Sequence, residues 1–109
     1  MEPKKYTVHY FEDIGQTDWY NDQGQLECPC GPAITMRNGY QAWYRSGELH
    51  REDGPAVITA EGDKEWYRDG NLHREDGPAV MYADGQVAWY IGGVQTYIWQ
   101  PKTITPVTN

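Results

Sequence analysis

Hydrophobic positions along this chain come in short runs, none long enough or helically spaced enough to suggest a helix. The runs return at a fixed interval. His50 to Val57 reads HREDGPAV and His73 to Val80 reads HREDGPAV again, an offset of 23 residues. A Trp-Tyr pair recurs at Trp19-Tyr20, Trp43-Tyr44, Trp66-Tyr67 and Trp89-Tyr90, each followed by a glycine at Gly24, Gly47, Gly70 and Gly93. A second series of glycines, Gly15, Gly39, Gly62 and Gly85, ends each unit. Self-similarity at such a period marks stacked supersecondary units that bury a core only together.

Each unit holds two β-compatible runs separated by turn chemistry. One contains the Trp-Tyr pair, as in Gln41 to Arg45, and the other follows Gly-Pro, as in Ala56 to Thr59. The Glu61-Gly62 and Asp84-Gly85 steps that end the second run predict hairpins, with type I′ turns requiring φ > 0. The HREDG segments fit loops. These patterns predict an all-β chain forming a single elongated, twisted antiparallel sheet or β-solenoid of stacked 23-residue hairpins. One domain is expected over residues 1–100, with a cap strand within 1–14 and repeats at about 15–38, 39–61, 62–84 and 85–100. Residues 101–109 read as a loose tail.

Composition supports this reading: nine Tyr, five Trp and one Phe suit pleated, half-buried surfaces, while twelve Gly and seven Pro punctuate turns. At 109 residues the chain has room for one modest core. A formal charge of −7 argues against direct nucleic-acid binding and leaves mimicry of a phosphate backbone open. No apolar run approaches the roughly 18 residues of a membrane span, and Met1 to Ile14 lacks a signal-peptide core, so a cytoplasmic protein without a membrane partner is expected.

Tyr67 to His73 reads Tyr-x-x-Gly-x-Leu-His and is followed by Gly77 and by Tyr82-Ala83-Asp84-Gly85. This resembles the MORN repeat family, and more closely a MORN-like variant carrying Trp-Tyr-x-x-Gly-x-Leu-His-Arg-Glu-Asp-Gly-Pro-Ala that is associated with bacteriophage and large-virus proteins. The resemblance spans about residues 15 to 95. It implies a fold of hairpin units and a habit of binding proteins, sometimes lipids; it implies no catalytic residues.

The most chemical constellation is the repeated loop, where His50, Arg51, Glu52 and Asp53 return as His73, Arg74, Glu75 and Asp76. Catalysis needs one asymmetric arrangement, whereas this one is copied along a ladder. At about 10 Å per two-strand unit, Arg51 is expected to reach an acid of the next loop. Strand alternation puts Trp43, Trp66 and Trp89 on one face and Tyr44, Tyr67 and Tyr90 on the other, so one row is expected to be core and the other either a partly exposed stripe or packed with Leu49, Leu72, Val57, Val80 and Ile58 in a folded-over sheet. Cys28-Pro29-Cys30 stands where the later loops carry Arg-Glu-Asp, which reads as drift or as a thiol site completed by His9 or His50.

No phosphate loop, nucleophile elbow or dinucleotide fingerprint is present, and nothing calls for a cofactor. The leading expectation is a non-enzymatic protein-binding module, a small phage accessory protein that inhibits a host protein such as a CRISPR or other defence nuclease. Its partner-binding residues would be Trp43, Trp66, Trp89, Tyr44, Tyr67, Tyr90, Glu52, Asp53, Glu75 and Asp76, facing a host or viral protein of basic, nucleic-acid-binding type. The alternatives are a structural or virion assembly protein acting through self-association, including a homodimer, and a small-ligand or metal-binding protein.

Overall fold

The computed structural model describes residues 4–101, and among these every regular element is a strand. In chain order the strands are β1 (Thr7–Phe11), β2 (Gln16–Tyr20), β3 (Ile34–Thr35), β4 (Gln41–Ala42), β5 (Tyr44–Arg45), β6 (Glu48–Leu49) and β7 (Val57–Ile58). They continue as β8 (Lys64–Glu65), β9 (Tyr67–Arg68), β10 (Asn71–Leu72), β11 (Val80–Met81), β12 (Val87–Ile91) and β13 (Val94–Trp99). Residues 1–3 of the expected cap and 102–109 of the expected tail lie outside the described residues. No helix among the described residues is long and apolar enough to cross a membrane.

Nine strands form one antiparallel sheet in the order β1-β2-β3-β4-β7-β8-β11-β12-β13, while β5-β6 and β9-β10 stand out as separate two-stranded hairpins. The sheet therefore follows the chain and stays open, with β1 and β13 as its edges. The principal extents of the molecule are 71 × 33 × 17 Å. The radius of gyration, 17.3 Å, exceeds the roughly 13 Å of a compact 100-residue domain, which makes the molecule a plank.

The Trp-Tyr strands of the two middle units are broken in two at Trp43 and Trp66, whereas β2 and β12 run on through Trp19 and Trp89. Trp43 N–H donates to Ala56 O at 2.7 Å, while Trp43 C=O accepts from His50 N at 3.0 Å. The first bond belongs to the large sheet and the second to the hairpin, so the chain turns a corner at this residue. Trp66 repeats the geometry, with Ala79 O at 2.7 Å and His73 N at 3.0 Å, and Trp19 does so with Ala33 O at 2.8 Å and Glu27 N at 3.1 Å. The hairpins are tied in a second row by Gly47 N to Leu26 O, Gly70 N to Leu49 O and Gly93 N to Leu72 O, at 3.0, 2.9 and 2.8 Å.

The two glycine series serve different turns. Ser46-Gly47 and Asp69-Gly70 have φ of 51° and 83°, and 50° and 85°, the signature of type I′ hairpins. At the Gly62 and Gly85 turns only the glycine has positive φ, and Gly62 N and Gly85 N bond to the carbonyls of Thr59 and Tyr82 three residues back. That is a type I turn with a glycine bulge, so the type I′ assignment expected at Asp84-Gly85 is corrected.

The expectation that one aromatic row forms the core is also corrected. The buried apolar positions are Ala33, Ala42, Ala56, Ala79 and Ala88 at 0–2% exposure, with Val57 and Val80 at 5% and 3%. No large side chain is fully buried; both aromatic rows are half-buried. A plank only one unit thick has no interior that could enclose an indole, so its best-shielded positions are those where small side chains let neighbouring strands and loops close together.

Candidate functional site

The repeated loops explain their own sequence. In the second loop the Arg51 guanidinium lies 3.8 Å from the Trp43 ring centroid, its Nε donates to Asp53 Oδ1 at 3.0 Å and its Nη1 donates to Pro55 O at 3.0 Å. The third loop matches: Arg74 is 4.0 Å from the Trp66 centroid, with Asp76 at 3.1 Å and Pro78 O at 3.0 Å. Glycine completes the seat, because a Cβ on Gly54 or Gly77 would stand 3.0 or 2.9 Å from the arginine Cζ. The expected ion pair to the next loop is therefore corrected to one within the same loop. Asp53, two residues away, reaches Nε in the conformation that also stacks Arg51 on Trp43. The ladder between units is instead carried by Arg45 and Asp69, 3.1 Å apart and both exposed.

Histidine at the head of the loop accepts a hydrogen bond from a backbone N–H. Asp69 N donates to His50 Nδ1 at 3.1 Å and Gly92 N donates to His73 Nδ1 at 2.9 Å, each tying the loop to the turn of the next hairpin. In the first unit Glu27 takes the same place, accepting from Ser46 N at 2.9 Å, and this bond leads the causes holding its carboxyl below the usual range. With Nδ1 used as an acceptor the ring proton sits on Nε2, where His73 donates to Glu75 Oε1 at 3.2 Å. That bond, together with Arg68 Nη1 at 3.2 Å, lowers the Glu75 carboxyl.

The candidate residues fall into three settings. Trp66, Tyr67, Glu52, Asp53, Glu75 and Asp76 line one open groove of about 640 Å³ between successive loops. Trp43, Tyr44 and Asp53 line a second of about 690 Å³, one repeat earlier. Trp89 and Tyr90 lie in neither: Trp89 packs edge-on against Tyr97 at 5.2 Å, and Tyr90 Oη donates to Gln95 at 3.0 Å. The four loop carboxylates project outward, with side-chain exposures of 76% for Glu52, 87% for Asp53, 68% for Glu75 and 88% for Asp76.

On the tyrosine side the sequence reading missed two acids. Asp18 is 6% exposed and accepts from Gln16 Nε2 at 2.7 Å and Tyr20 Oη at 3.2 Å, and Glu65 accepts from Tyr67 Oη at 3.0 Å. A signal was present, since both stand immediately before a tryptophan, where the other units carry Ala42 and Ala88. Burial first, and then the neighbouring carboxylates, push the phenols of Tyr20 and Tyr67 up; burial also leads for Tyr40, Tyr44 and Tyr82. Because these folded-state values lie above the unfolded one, stability is intact below pH ~10 and is lost as pH rises further. Thermal unfolding followed alongside phenolate absorbance should show a melting temperature that is flat to about pH 9 and drops beyond pH 10.

Among the described residues no group of three or more His, Cys, Asp or Glu side chains is placed to hold a metal ion. Comparison with family models, curated proteins and solved structures gives no match for this chain.

Proposed function

We propose that the chain is a non-enzymatic protein-binding module, a MORN-like ladder of 23-residue units that lays a row of carboxylates on a basic protein surface. The observation that carries the reading is the exposure of Glu52, Asp53, Glu75 and Asp76. Their Arg and His partners hold the loops together, yet the acids remain turned toward solvent at the repeat spacing of a 71 Å molecule with formal charge −7. Regularly spaced negative charge on a stiff scaffold complements a groove built for a phosphate backbone. The resemblance to phage and large-virus proteins favours a host nucleic-acid-processing enzyme, such as a defence nuclease, acting in the host cytoplasm. The ring edges of Tyr44, Tyr67, Trp43 and Trp66 in the two grooves would add apolar contact.

Affinity capture from host lysate tests this. One stoichiometric partner, released by moderate salt and lost with Glu52→Gln/Glu75→Gln at unchanged melting temperature, is the expected result. Recovery of the chain alone would shift the assignment to self-assembly through the open edges β1 and β13, both of which are exposed along their length.

A further inference from the structure

The first loop keeps the backbone path of its two copies while exchanging their chemistry. Glu27 N bonds to Trp19 O at 3.1 Å as His50 N bonds to Trp43 O at 3.0 Å, and Ala33 N bonds to Ala42 O at 2.8 Å as Ala56 N bonds to Glu65 O at 2.7 Å. In the copies this path turns the side chains of the second and fourth loop residues toward each other, as the 3.0 Å Arg51–Asp53 and 3.1 Å Arg74–Asp76 contacts show. Cys28 and Cys30 occupy those same two positions in the first loop. Both are free thiols, Cys28 half-buried and Cys30 exposed. They open onto the groove of about 690 Å³ that Glu27 and Tyr6 also line.

We infer that Cys28 and Cys30 form a two-thiolate site for a single soft d10 cation of the copper(I) class. No group of three ligating side chains exists among the described residues, which disfavours the four-coordinate sites that zinc prefers. Paired thiolates are the donor set that selects Cu(I). The ion also lengthens the reach between the sulfurs, which matters because the path that joins an arginine to an aspartate leaves more room than a direct sulfur–sulfur bond spans. Binding forms two S–Cu bonds and releases two protons to solvent, with no change in oxidation state. Burial raises the Cys28 thiol, so its proton is still present at neutral pH and must be displaced. The thiols share their groove with Trp43, Tyr44 and Asp53 of the proposed binding surface, but copper uptake by the purified chain is read without any protein partner.

Copper(I) titrated anaerobically into the full chain against a chromophoric chelator tests the inference. The expected result is one ion per chain, with affinity rising roughly a hundredfold per pH unit below the thiol range as two protons leave. Cys30→Ser, at an exposed position, should keep the melting temperature and lose at least a hundredfold in affinity. Cys28→Arg/Cys30→Asp, which restores the pair found in the other loops, should fold and take up no ion. Failure to compete with the chelator, or equal uptake by Cys30→Ser, would overturn the assignment.

Discussion

Trp66→Ala is expected to destabilise the fold by about 3 kcal/mol, near the lower bound for removing a tryptophan because the indole is half-buried. The backbone bonds to Ala79 O and from His73 N can survive the substitution. What disappears is the surface on which Arg74 is stacked, 4.0 Å from the ring centroid, together with the half-buried apolar area of the indole itself. Arg74, 24% exposed, would keep its bonds to Asp76 and Pro78 O but lose the plane that fixes their geometry. For a domain of this length the melting temperature should fall by roughly 12 to 20 °C. A double-mutant cycle with Arg74→Ala should show coupling of about 0.5–2 kcal/mol. An unchanged melting temperature with lost partner binding would instead make the indole a contact residue.

Gly70→Val is the second large effect, about 2 kcal/mol or more. Gly70 has φ of 85° beside Asp69 at 50°, so the turn needs two successive left-handed residues. Space is not the obstacle, since an added Cβ would meet Glu48 atoms only at 3.7–3.8 Å. The cost is conformational, and it falls on a residue whose N–H, bonded to Leu49 O at 2.9 Å, joins one hairpin to the one before it. Gly70→Asn separates the causes: asparagine tolerates the left-handed region, so most of the stability should return in denaturant titration.

The repeat made much of this architecture legible. The 23-residue offset located the loops and both glycine series. Burial was not legible, because alternation along Gln41 to Arg45 assumes a continuous strand. Trp43 sends its N–H to one row and its C=O to another, so the inside-outside pattern restarts there. Strand alternation pointed to one aromatic row as core, yet in a structure 17 Å deep the most shielded places belong to alanine. The Arg51–Asp53 pair was misplaced for a related reason. Strand spacing suggested a partner about 10 Å away, while the stacking of Arg51 on Trp43 fixed its fork on its own loop. Asp18 and Glu65 stand out in the sequence only as departures from Ala42 and Ala88 at the same repeat position, and a repeat displays most clearly what all its copies share.

The strand order of the large sheet, which follows the chain from β1 to β13, also sets how the molecule responds to force. Antiparallel hydrogen bonds lie perpendicular to their strands, so tension between the two edges loads each row of bonds along its own direction. Such rows open in succession, and most of them here join strands of two residues. Pulled by its ends, the plank should lengthen in small steps of one strand pair at low load. A partner gripping both edges would feel a compliant strap, whereas one lying flat along the loops would meet a stiff beam.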